Sequence, residues 1–168
     1  MVNFFNRLSL LAEDIAAFRK RKASMENQIF VSHSGRNAFE ASILQYVLET
    51  ILLNEGVTAW TFERDQSRSE REIARSLKDR VRESSAAVFL VSPDTLESGA
   101  TQWMELAYAD AFTVTSFILL HRLTFKELRD HETGVPPLLL SSQCNSALEW
   151  RAVVEDIRKL LKGRTRHG

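Results

Sequence analysis

Ala86-Ala87-Val88-Phe89-Leu90-Val91 is an unbroken apolar run bounded by Ser84-Ser85 and Ser92-Pro93. It is too short for a stable helix, and with no polar residue alternating it has no face for water. Such a run reads as a strand buried on both sides, the centre of a parallel sheet, and that sheet needs helices on each face. The rest of the chain supplies them. Gln28–Ser32, Val57–Phe62, Ser116–Leu120 and Leu138-Leu139-Leu140 (introduced by Pro136-Pro137) read as four further strands. Between them, Phe39, Ile43, Val47 and Ile51 recur every four residues and predict an amphipathic helix ending near Asn54, with Gly56 behind it. Ile73, Leu77 and Val81 mark a second helix, and Trp150, Val153, Val154, Ile157 and Leu161 a closing one. Five strands alternating with helices predict an α/β fold with a doubly wound, five-stranded parallel sheet.

Ahead of this pattern stands a different one. Phe4, Leu8, Leu11, Ile15 and Phe18 are spaced four, three, four and three, so residues 1–24 read as an added N-terminal amphipathic helix. Arg19-Lys20-Arg21-Lys22 suits the C-terminal end of that helix. Packing or self-association is the expected use of the stripe, because stable membrane anchoring takes two signals. The domain proper is then 25–163, and 164–168 is a polar tail.

Bulk properties close off several functions. Lys and Arg total 22 and Asp and Glu total 22, so the formal net charge is zero and a broad basic surface for nucleic acid is not expected. Cys144 is the single cysteine, which rules out an intramolecular disulfide and suggests a reducing compartment. No apolar run reaches membrane-spanning length, and Met1–Ala23 does not read as a signal peptide, so a cytoplasmic protein is expected. His33, His121, His131 and His167 show no metal-site spacing, and neither a P-loop nor a dinucleotide fingerprint occurs. No metal and no cofactor are expected.

The stretch Ser98-Gly99-Ala100-Thr101-Gln102-Trp103-Met104-Glu105-Leu106-Ala107 follows the central strand and is expected to place Glu105 in the opening turn of a helix. In open α/β sheets ligands bind where strand ends meet helix starts. An acidic residue there also serves the helix dipole, so position alone does not assign it chemistry.

Four segments together resemble the Toll/interleukin-1 receptor (TIR) domain family. Ile29-Phe30-Val31-Ser32-His33-Ser34 is similar to the family's first strand and turn. Gly56 through Asp65 resembles the second strand entering its BB loop. Val88 to Pro93 resembles the third strand with its terminal serine, and Ser98 with Trp103-Met104-Glu105-Leu106 the serine, tryptophan and glutamate-leucine signature. Arg36-Asn37 stands where an acidic residue often follows, and the usual BB-loop glycine is replaced within Arg68-Ser69-Glu70.

The resemblance implies a flavodoxin-like strand order and, in the enzymatic members, cleavage of the bond between nicotinamide and ribose in NAD+ with Glu105 as the catalytic residue. Nicotinamide leaves a pyridinium as a neutral molecule, so the group needing help is the positive charge developing on the ribose. One fixed carboxylate can stabilise it. Ser32, His33, Ser34 and Gly35 are candidates to line the cleft, Trp60 and Phe62 to stack on a ring, Arg64 to pair with phosphate, and Ser92 and Trp103 to complete the site. Each has a plainer reading as a turn, core, solvated or capping residue. NAD+ is then a substrate, cleaved by hydrolysis or cyclised, in antiphage or innate immune signalling. The implied partners are further copies through TIR–TIR contacts, with an upstream sensor or downstream effector. A non-catalytic TIR adaptor and a nucleoside deoxyribosyltransferase-like enzyme, which also sets a glutamate on ribose chemistry, are the alternatives.

Overall fold

A computed structural model of the chain describes residues 27–61, 70–131 and 135–164, the side chains of 70–74 and 164 excepted. The expected N-terminal helix, the polar tail beyond 164, Phe62 and Arg64 lie outside the described residues. The elements are β1 (Asn27–His33), α1 (Ala38–Ile51), β2 (Val57–Trp60), α2 (Glu70–Glu83), β3 (Ala86–Val91), α3 (Pro93–Ser98), α4 (Ala100–Ala111), β4 (Ser116–Leu120), α5 (Phe125–Asp130), α6 (Pro137–Ser141), β5 (Cys144–Ser146) and α7 (Trp150–Arg164). The five strands form one parallel sheet in the order β2-β1-β3-β4-β5, the flavodoxin-like doubly wound arrangement.

Strand alternation divides the core in two. Ile29 and Val31 of β1, Val88 and Leu90 of β3 and Leu119 of β4 face one side, covered by Ala41, Leu44 and Leu48 of α1 and by Val153, Val154, Ile157 and Leu161 of α7. Phe30, Ala87, Phe89, Val91 and Ile118 face the other, covered by Leu77 and Val81 of α2 and by Leu106 and Ala109 of α4. All six residues of β3 are buried, as its apolar run predicts. Gly56 takes φ 65°, a left-handed conformation suited to glycine, and so turns the chain after α1 into β2.

Three expectations about the elements need correction. Leu138-Leu139-Leu140 is not a strand but part of α6, and the fifth strand is the polar Cys144–Ser146. A run of three leucines carries no period, and Pro137 with its preset φ starts a helix. Strand β5 lies at the sheet edge and pairs on one side only, so a short polar segment suffices. Helix α1 exists as predicted, but Phe39, Ile43 and Ile51 are exposed, while Ala41, Leu44, Gln45 and Leu48 meet the sheet. Two apolar stripes run along that helix, and spacing does not say which one packs. Finally, Glu105 is not in an opening turn. Ser92 caps α3, accepting from the Thr95 N–H, and α4 starts only after Gly99. Glu105 therefore lies in the second turn of α4, beyond the reach of a helix-terminus dipole explanation.

Candidate functional site

The ends of β1 and β3 flank the point where the strand order reverses, the place at which a doubly wound sheet opens a crevice. Ser32 is the penultimate residue of β1, opposite Phe89 of β3, and points to the α2/α4 side of the sheet. Across it lies Glu105. The Ser32 hydroxyl donates to Glu105 Oε2 at 2.5 Å, with Ser32 2% and Glu105 5% exposed. A buried carboxylate is costly unless hydrogen-bonded, and this donor also fixes its rotamer. The next turns of α4 are apolar, with Leu106 and Ala109 in the core, so the helix is held firmly behind the carboxylate. The pair joins residues 73 positions apart in sequence. A carboxylate preorganised at a strand end can stabilise a positive charge developing beside it.

A second polar cluster fixes the loops around this pair. The hydroxyls of Ser34 and Ser92 both donate to Asn37 Oδ1, at 2.7 and 2.6 Å, so one fully buried amide ties the turn after β1 to the end of β3. Gln102, one turn before Glu105 on the same face of α4, donates from Nε2 to the Leu90 carbonyl at 3.2 Å. Among the described residues, Asn37 Nδ2 and Gln102 Oε1 are buried and have no hydrogen-bond partner. Gly99 permits the bend between α3 and α4, because a Cβ there would sit 2.2 Å from the Thr95 carbonyl oxygen.

The remaining candidates are placed as follows. His33 Nδ1 lies 2.8 Å from the Ser34 carbonyl, a local turn contact, and Gly35 opens the exposed turn that follows. Ser92 is wholly buried and serves as the α3 cap and as a partner of Asn37. Trp60 belongs to the core: it stacks on Phe30 with centroids 5.3 Å apart, and the Arg80 guanidinium lies 5.6 Å from its ring centre. Trp103 is partly buried and packs on the α2/α4 side, anchoring its helix. The structure thus joins Ser32 to Glu105 and, separately, Ser34 to Ser92 through Asn37, and leaves Trp60 beside Phe30, two residues before Ser32. Asn37 and Gln102 carried only faint signals in the sequence. Gln102 stands three residues before Glu105, hence on its face, and Asn37 is marked only as part of Arg36-Asn37, where the family often has an acidic residue. Among the described residues no group of three or more His, Cys, Asp or Glu is placed to hold a metal ion.

A parallel sheet of this order with a buried hydroxyl–carboxylate pair at the switch point defines the class, a doubly wound α/β domain with its site at the strand ends. The family follows from comparison. The sequence model described as "TIR domain" matches residues 29–161, most of the chain, and the chain belongs to that family. No curated protein matches it. Among solved structures, a 2-desoxiribosyltransferase from Leishmania mexicana is similar at 15% identity and a TM-score of 0.55, over 77% of this chain and 97% of that one. The TIR domains of the activated Roq1 resistosome, which directly recognises the pathogen effector XopQ, are similar at 16% identity and a TM-score of 0.50, over 80% of this chain and 81% of that one. At such identities these likenesses establish the fold.

Proposed function

We propose that this TIR domain cleaves the nicotinamide–ribose bond of NAD+, with the buried Ser32–Glu105 pair as the observation that carries the reading. Glu105 stabilises the ribosyl cation as neutral nicotinamide departs, and Ser32 holds the carboxylate in place. The cation is then captured by water, giving ADP-ribose, or by an adenine nitrogen, giving a cyclic product. Asn37 and Gln102, both buried, hold the ends of β1 and β3 in place beside that pair through Ser34, Ser92 and the Leu90 carbonyl. Phe62 and Arg64 remain the candidates for ring and phosphate contacts. Self-association of TIR domains in the cytoplasm, under an upstream sensor or feeding a downstream effector in immune or antiphage signalling, completes the proposal. No helix among the described residues is long and apolar enough to cross a membrane.

Incubating the full chain with NAD+ over a range of protein concentrations, with chromatographic product analysis, tests this. Free nicotinamide in step with ADP-ribose or its cyclic form, at a specific activity rising with concentration, is expected. An inert protein at every concentration supports the adaptor reading instead. Nucleobase exchange on deoxynucleosides without NAD+ cleavage supports a transferase, the second reading that the Leishmania structure's fold brings to mind.

A further inference from the structure

The outer side of α1 is apolar and uncovered. Phe39 is 75% and Tyr46 71% exposed, and Ile43, Ile51 and, just past the helix, Leu53 are exposed with them. Scattered apolar residues on a surface are ordinary, but Phe39, Ile43, Tyr46 and Leu53 line up along one side of the helix. It borders a groove lined by Glu40, Ile43, Val47, Ala147 and Trp150. Leu148, beside that groove on the turn before α7, is almost fully exposed. We propose that the stripe is the seat of the chain's own N-terminal segment, which lies along α1 as a helix through Phe4, Leu8, Leu11, Ile15 and Phe18.

Four observations choose this occupant. Phe39, Ile43, Tyr46 and Leu53 repeat the four-and-three spacing of the N-terminal stripe, with Thr50 filling the one remaining position. Two helices with that common spacing mesh side by side in register, as heptad seams do. The lengths agree: Phe4–Phe18 as a helix would be about 22 Å long, against about 21 Å for the fourteen residues of α1. The exit point also agrees. At the start of β1 the Asn27 N–H donates to the Gly56 carbonyl at 3.2 Å and Asn27 Nδ2 to the Glu55 carbonyl at 2.8 Å. The segment therefore joins the domain just past the C-terminal end of α1, beside Leu53. Residues 19–26 reach about 26 Å when extended, ample to connect Phe18 there in a parallel alignment. Finally the charges complement each other. Helix α1 holds Glu40 and Glu49 and no Lys or Arg, whereas residues 1–26 hold Arg7, Arg19, Lys20, Arg21 and Lys22 against Glu13, Asp14 and Glu26. In this register the basic run falls at the C-terminal end of α1, where the helix dipole favours cations.

Position-specific cross-linking of the full chain tests the proposal. In a Cys144→Ser background, Leu11→Cys is combined with Tyr46→Cys, and in a control with Arg129→Cys on α5, away from the stripe. The expected result under mild oxidation of dilute protein is a disulfide within one chain for the first pair and none for the control. Interchain disulfides on a doubled mass overturn it in favour of a second copy as occupant. Absence of any disulfide, or equal yield in the control, overturns it outright. As an independent reading, Leu8→Asp with Leu11→Asp is expected to speed hydrogen exchange along α1 in the full chain at least tenfold. Unchanged exchange counts against the docking. If anionic phosphatidylserine vesicles capture the chain and abolish the cross-link at physiological salt, the stripe of residues 1–24 belongs to a membrane and the proposal falls.

Discussion

Replacing Glu105 by glutamine isolates the charge from the shape. The amide has nearly the carboxylate's volume and still offers an oxygen to the Ser32 hydroxyl that now donates to Oε2 at 2.5 Å. Packing by Leu106 and Ala109 around it is untouched. On the proposed function, what disappears is the negative charge that stabilises the ribosyl cation in the transition state. Losing one preorganised electrostatic contact of this kind raises the barrier by about 3 kcal/mol, a fall of roughly 150-fold in kcat. The fold should survive the change, because the Ser32 hydroxyl keeps an acceptor and the side chain keeps its volume. The assay is nicotinamide release from NAD+ by purified parent and Glu105→Gln, with circular dichroism and a thermal melt on the same samples. A variant with unchanged spectrum that turns over within a few-fold of the parent would refute the reasoning, since the buried pair would then be only structural.

Ser32→Ala leaves the Glu105 carboxylate buried without that donor, so a loss of about 1–3 kcal/mol in unfolding free energy is expected together with a fall in kcat, read from denaturant titration and turnover. Trp60→Leu removes the stack on Phe30 and the Arg80 contact, and should lower stability by about 2 kcal/mol while leaving the Michaelis constant for NAD+ unchanged, read from a thermal melt and turnover. Gly99→Ala pushes a methyl group to within 2.2 Å of the Thr95 carbonyl oxygen, so a destabilisation of about 1–3 kcal/mol with loss of activity is expected, a thermal melt and turnover assay providing the check. Burial pushes the Cys144 thiol above its ordinary range, so at pH 8 it should alkylate with iodoacetamide well below the rate of free cysteine, and unfolding in urea should restore that rate.

The parts of this protein legible in its sequence are those decided within a few neighbouring residues. The unbroken run Ala86–Val91 can only be a strand buried on both faces, and Ser116–Leu120 and the Val153, Val154, Ile157, Leu161 stripe of α7 declare their period in the same local way. Glu105 stood out by its motif. Where two local solutions were equally good, the tertiary structure decided. The apolar stripes of α1 are both helical, and only the sheet, by covering Ala41, Leu44 and Leu48, left Phe39 and Tyr46 outside. Leu138–Leu140 is hydrophobic enough for a strand, but the edge position went to Cys144–Ser146 and the leucines closed the α2/α4 side as a helix. The meeting of Ser32 with Glu105 bridges 73 residues of chain, and that of Asn37 with Ser92, which ties in Ser34, bridges 55. No local pattern encodes such contacts, because they exist only once parallel pairing has brought the ends of β1 and β3 side by side.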